Sequence, residues 1–222
     1  MFFVIRLRKV LIALVILVVI LGYTMCKVVP TIAIPTTNRV IVIDAGHGGF
    51  DPGALSENGV EEQEINLEIA LKLQRLLEES GTTTFLTRAD SDSVGETKRE
   101  DMKNRKAIRD IEDSDMYVSI HLNSFPQENV KGAQTFYSSN EESKKLAELV
   151  QNKLKEVVEP NNNRVAKELS TVYLLKNTKN PSIIVECGFL SNKEELTKLQ
   201  DDTYQEKLAW AIYLGIIDYY SE

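Results

Sequence analysis

The chain is poor in the residues that build covalent or metal-knot scaffolds. Its 222 residues include two cysteines, Cys26 and Cys187, too few for a disulfide framework or a four-thiolate zinc site, so a small secreted knot is excluded. Eleven glycines and six prolines, set against 43% hydrophobic and 27% charged residues, exclude collagen-like, low-complexity and wholly disordered chains. No internal repeat is visible. Acidic residues are absent before Asp44: all 33 lie from there onward, with 21 of the 26 basic ones. That surplus of negative charge argues against nucleic acid as a partner.

The first residues are a different kind of polypeptide. Arg6, Arg8 and Lys9 precede an uncharged run from Val10 to Leu21 that stays mostly apolar to Met25, so residues 1–27 read as a signal anchor or a signal peptide. The best cleavage candidate is Thr31-Ile32-Ala33, and the balance favours an uncleaved anchor. Met25 stands where a lipidated Cys26 would need a small residue, which argues against a lipoprotein. Basic residues on the N-terminal side send everything after Lys27 across the membrane. Residues 28–38, with Pro30 and Pro35, read as a short stiff linker.

Residues 39–222 alternate short β-branched runs with stretches of helical period, the pattern of an α/β layered domain with a largely parallel sheet. Strands are expected at Val40–Asp44, Thr83–Thr87, Met116–His121, Thr135–Tyr137, Val172–Leu175 and Ile183–Glu186. Helices are expected at Glu61–Ser80, Lys98–Ile111, Glu141–Val158, Lys193–Leu199 and Tyr204–Tyr219, with a polar loop over Pro160–Glu168.

Only two histidines are present, His47 and His121, each at the carboxyl end of an apolar strand. Ligands gather there in open α/β sheets, so two imidazoles 74 residues apart could meet. A catalytic zinc takes three protein ligands, and the third has to be a carboxylate or Cys187. Among the acids at the start of the next helix, Glu61 continues into the polar positions Glu64 and Glu68, whereas Glu62 leads into Ile65, Ile69, Leu73 and Leu76. Burying an unpaired charge is costly, so Glu62 is assigned as the third metal ligand, with His47 and His121. Glu186 ends an apolar strand. It reads either as a general base whose pKa burial raises or as a strand-end salt bridge to Arg88 or Arg105. Cys187 should face the opposite side as a buried small hydrophobe. Asp44 is a candidate to orient His47, or else an acid capping the glycine turn; Arg88 and Arg105 could bind peptide carboxylates or serve as structural pairs.

Four segments carry a resemblance: Ile43-Asp-Ala-Gly-His-Gly-Gly49 with Asp51-Pro-Gly-Ala54, Glu62 before Ile65-Asn-Leu67, Val118-Ser-Ile-His-Leu-Asn-Ser124, and Ile184-Val-Glu-Cys-Gly-Phe-Leu-Ser-Asn192. From about Val40 to Tyr220 the chain resembles the zinc-dependent N-acetylmuramoyl-L-alanine amidases often called amidase 3. The resemblance implies a three-layer α/β/α fold with a mixed six-stranded sheet, Zn2+ held by His47, Glu62 and His121, and Glu186 as the catalytic carboxylate. The implied substrate is the peptidoglycan amide between N-acetylmuramic acid and L-alanine. Within the family the Val185-Glu-Cys-Gly-Phe189 ending, Tyr173-Leu-Leu-Lys176 and the N-terminal segment are most similar to the germination-specific group of endospore formers. That group strips stem peptides from spore cortex for muramic-δ-lactam formation, which implies an extracytoplasmic place in the forespore intermembrane space or cortex. Gln63 departs from the Lys that many relatives carry. The connection Asn123–Gln134 is too short for the plugging helix of some relatives, so an open site is expected. Rival readings are a zinc peptidase cutting elsewhere in the stem, a silent peptidoglycan-binding protein, and an enzyme that needs an accessory spore protein. The absence of His-Glu-x-x-His removes the commonest peptidase signature.

Overall fold

The computed structural model describes residues 2–26, 34–111 and 113–222, which divide into two compact units, residues 1–33 and 34–222. In the first, Phe2–Cys26 form helix α1, with the apolar side chains from Val10 to Ile20 mostly exposed. Among the described residues no helix is long and apolar enough to cross a membrane. The cleavage candidate at residues 31–33 lies outside the described residues, as do residues 28–30 of the expected linker.

In the second unit, Thr36 is buried and its hydroxyl meets that of Ser80 at 3.0 Å, so the last residues of the expected linker pack against the domain. Six strands follow: β1 Val40–Ala45, β2 Thr83–Leu86, β3 Met116–Asn123, β4 Gln134–Tyr137, β5 Lys167–Glu168 and β6 Ser182–Phe189. They form one sheet in the order β2-β1-β3-β6-β4-β5, with only the β4–β6 pair antiparallel. This is the mixed, mostly parallel six-stranded sheet that the resemblance implied.

Helices α2 (Glu62–Glu79), α4 (Glu141–Lys153) and α6 (Asp202–Ser221) cover one face. Their apolar stripes meet Ile41, Ile43, Val118, Ile120, Ile183 and Val185 in one continuous core, because alternate residues of a strand point to the same side. The other face carries α3 (Lys98–Arg109) and a 3₁₀ turn at Tyr173–Leu175. Its apolar cluster is small, built on Val42, Tyr117 and Leu174. A short helix α5, Lys193–Leu199, packs against β6 and α6. Caps follow the sequence chemistry: Thr97, Asn140, Asn192 and Asp201 each accept a backbone N–H at the start of α3 to α6.

Two expectations are corrected. The strand expected at Val172–Leu175 is the 3₁₀ turn, and the edge strand lies instead at Lys167–Glu168, inside the expected loop. Two exposed charged residues at a sheet edge carry no apolar signal, and their pairing with Phe136 and Tyr137 comes from the backbone alone. The helix expected to run to Val158 leaves the α form at Lys153 and ends in a π turn over Leu154–Val158.

Parallel pairing puts the carboxyl ends of β1, β3 and β6 on one edge. His121 stands directly opposite Glu186 in the β3–β6 register, on the same face as Ser119 and Tyr117.

Candidate metal centre

The turn after β1 is built to let two imidazoles meet. His47 adopts a left-handed backbone at φ +64°, a conformation that costs a non-glycine residue about 1–2 kcal/mol. A side chain at Gly46 would run into the His121 ring, 2.3 Å from its Cε1, and one at Gly53 would lie 2.6 Å from Glu62 Oε2 and 2.8 Å from His47 Cδ2. Glycine at both positions leaves room for the histidine rings, whose centroids lie 5.0 Å apart, edge to face.

Glu62 enters from the first turn of α2 with only 3% of its surface exposed. Its Oε1 lies 3.3 Å from His47 Nε2 and 3.0 Å from His121 Nδ1. Oε1 also accepts from Leu122 N–H at 3.0 Å and from the Asn66 amide at 3.1 Å, while Oε2 accepts from Ala54 N–H at 2.9 Å. Glu61 is half-buried and Glu64 exposed, so the apolar helical stripe separates the three acids as the spacing required. Burial pushes the Glu62 carboxyl up, but hydrogen bonds from His121 and His47 hold it well below the ordinary carboxylate range. Burial depresses His121, yet its hydrogen bond to Glu62 raises its pKa on balance.

The donor set fits a metal ion. One ligand atom from each of His47, Glu62 and His121 lies within 4.8 Å of the others, and two nitrogens with one carboxylate oxygen form a set that zinc takes. Neutral imidazole lone pairs facing a carboxylate repel it, so the cluster calls for a cation or protons at its centre.

Glu186 lies beside this cluster on β6. It forms no salt bridge to Arg88 or Arg105: its Oε2 is buried without a hydrogen-bond partner. Burial raises its pKa, the charge on His121 opposes that rise, and the charge on Glu62 adds to it. Cys187, its neighbour, points into the opposite core, where burial pushes its thiol up.

Both arginines are tied into the turn that carries His47. Arg105 is 2% exposed and donates to Asp44 Oδ1 at 2.7 Å, Asp101 Oδ2 at 2.8 Å, the Ala45 carbonyl at 2.8 Å and the His47 carbonyl. Arg88 donates to the carbonyls of Ala45, Gly46, Gln63 and Asp90. Together they gather the turn's outward-facing carbonyls, and burial lowers the Arg88 pKa to about 10.

Asp44 does not orient His47. Its two oxygens are taken by Thr87, Arg105, Tyr117 and Ser119; burial would raise its pKa, but the Arg105 charge and these bonds bring it to about 2. The carboxylate on His47 Nδ1 is that of Asp51, at 2.9 Å. Spacing along the sequence could have suggested it, since Asp51 follows His47 by four residues in a turn rich in glycine. Gln63 accepts from Gly49 N–H at 3.1 Å and donates to Glu61.

A cleft of about 290 Å³ opens onto His47, His121 and Glu186, with Leu169, Val172 and Ile184 as an apolar wall. No residue between β3 and β4 lines it, and the described part of that connection contains no helix. Three facing donors, a buried acid and a layered α/β frame form the kind of site that metal-dependent hydrolases use.

Comparison with known proteins narrows that class. The chain belongs to the N-acetylmuramoyl-L-alanine amidase family, which matches residues 41–218. The germination-specific N-acetylmuramoyl-L-alanine amidase of Bacillus subtilis is 36% identical over 199 residues, spanning 86% of this chain and 83% of that one. The CwlD amidase of Clostridioides difficile, solved in complex with the GerS lipoprotein, is 49% identical with a TM-score of 0.81, covering 83% of this chain and 99% of that one. An N-acetylmuramoyl-L-alanine amidase from Clostridium difficile 630 is 29% identical with a TM-score of 0.76, covering 84% and 98%.

Proposed function

We propose that His47, Glu62 and His121 hold a Zn2+ ion and that Glu186 is the catalytic carboxylate in hydrolysis of the amide between N-acetylmuramic acid and L-alanine. The observation that carries this reading is the convergence of three donor atoms within 4.8 Å, next to a buried carboxylate oxygen with no partner of its own. When bound, the ion would acidify a water and polarise the scissile carbonyl. Glu186, with its raised pKa, accepts the proton of the attacking water and delivers it to the departing amine nitrogen of L-alanine. Glu62, held ionised, supplies negative charge that favours a cation between the rings. Arg105 and Arg88 keep the His47 turn in its left-handed form.

The biological reading extends this to spore cortex, where stem peptides are removed for muramic-δ-lactam formation. Its support is the likeness to the germination-specific relative. An accessory spore protein belongs to the proposal, because the similar clostridial amidase was solved with a lipoprotein. Membrane attachment through residues 1–27 and an extracytoplasmic site, in the forespore intermembrane space or cortex, rest on the basic start and the uncharged run from Val10 to Leu21.

The test is to incubate the zinc-loaded full-length chain, held in mild detergent, with purified peptidoglycan and identify the released ends by mass spectrometry. Free L-alanine amino termini with intact muramic acid are expected. Cuts elsewhere in the stem would make it a peptidase, and binding without release would point to a silent protein or a missing activator.

A further inference from the structure

The turn carrying His47 folds back on itself within four residues. Gly48 N–H donates to the Asp51 carbonyl at 2.9 Å, and Asp51 N–H donates to the Gly48 carbonyl at 3.1 Å. This returns the Asp51 carboxylate to the His47 ring, with Oδ2 2.9 Å from Nδ1. Oδ1 is 3.4 Å from Gly53 N, and the ammonium of Lys98, the first residue of α3, holds Oδ2 from the rim of the cleft. An ionised carboxylate only accepts hydrogen bonds, so the Asp51 contact holds a proton on His47 Nδ1. Nε2 faces Glu62 Oε1 at 3.3 Å and is the nitrogen left to exchange its proton for an ion.

We propose that Asp51 is a positioning residue for the metal centre: it holds the Nδ1 proton and the ring plane of His47 before any ion arrives, and Lys98 braces it there. The inference rests on the metal reading of His47, Glu62 and His121. An unrestrained imidazole tends to carry its proton on Nε2, which would block the coordinating nitrogen. The Asp51 contact keeps the other proton on Nδ1, so Nε2 can give its own up to an ion, and it strengthens Nε2 as a donor. Asp44 cannot take the role, because Thr87, Arg105, Tyr117 and Ser119 occupy its oxygens.

The experiment compares zinc affinity of the full-length wild type with Asp51→Asn and Asp51→Ala, by competition against a chromophoric chelator. Outer carboxylates on ligand histidines are typically worth about 10–100-fold in metal affinity. A loss of about tenfold is expected for Asp51→Asn and of up to about 100-fold for Asp51→Ala, with Asp51→Glu recovering part of it. A second readout does not involve the metal: long-range nitrogen–proton NMR of the metal-free protein should show a proton on His47 Nδ1 in the wild type and a bare Nδ1 in Asp51→Ala, where the ring keeps its proton on Nε2 alone. A purely structural role would leave that tautomer unchanged. If Asp51→Ala does not fold, Asp51→Asn, which keeps the side-chain shape, decides. Zinc held within about twofold of wild type by a folded variant, together with an unchanged tautomer, overturns the proposal. A wild type that binds no zinc would instead defeat the metal reading, and the NMR comparison would still decide whether Asp51 sets the ring.

Discussion

The two faces of the sheet are made by the same strands and do opposite things. On the side of α2, α4 and α6, strand residues are aliphatic almost without exception, from Ile41 and Ile43 through Val118 and Ile120 to Ile183 and Val185. On the side of α3 the alternating partners are Val42, Asp44, Tyr117, Ser119, His121, Ile184 and Glu186, and the apolar cluster is small. The first face is held by area removed from water, which is tolerant of direction. The second is held by hydrogen bonds and ion pairs that must each be matched, because a buried charge without a partner is expensive. A site that keeps two imidazoles and two carboxylates in register needs the second kind of packing beneath it and the first kind behind it.

The comparison breaks most sharply at Arg105. Replacing it with Met leaves Asp44 and Asp101 buried without their guanidinium and the His47 carbonyl without a donor. Losing one member of a buried pair costs about 3–5 kcal/mol, read as a lower urea midpoint, and zinc affinity should fall with it. The Asp44 pKa of about 2 lies below its ordinary 3.8, so this carboxylate contributes stability that is present above about pH 4 and lost as pH falls towards 2. The Arg105→Met protein should lose much of that dependence. A variant as stable as wild type, with unchanged zinc affinity, would mean that the polar face is not a scaffold.

Leu73→Ala probes the other face. Leu73 is fully buried in the large core cluster, and such a truncation costs about 2–5 kcal/mol. Zinc affinity of the folded protein should not change. Should it fall as far as in Arg105→Met, the two faces would not be separable.

Much of this division could be read before any coordinates. His47 and His121 announced themselves as the only two histidines, each closing an apolar strand, and Glu62 stood on the apolar side of its helix. What stayed hidden was the polar support. Arg88 and Arg105 look like surface residues in a sequence, since burial of a guanidinium depends on carbonyls brought from a distant turn. Asp51, and not Asp44, meets the His47 ring because the left-handed backbone at His47 reverses the chain and selects the later acid. The edge strand at Lys167–Glu168 is invisible to hydrophobic pattern, being exposed and charged.

Glu186 lies where the two demands collide, and its replacement by Gln should have opposite effects on activity and stability. Release of stem peptides should fall about 10²–10⁴-fold, because Gln cannot take the proton. Stability should move the other way. A carboxyl whose pKa is raised by folding, as burial does here, contributes stability that is fully present below its ordinary 4.5 and lost as pH rises through the folded value. At pH 7 the metal-free wild type therefore bears the cost of a buried charge that Gln does not carry. The variant should melt a few degrees higher at pH 7, a change on the order of 1 kcal/mol, and the gap should close near pH 4. Equal melting at both pH values would mean that the unpartnered oxygen costs folding nothing, and the polar face would then owe its arrangement to packing alone.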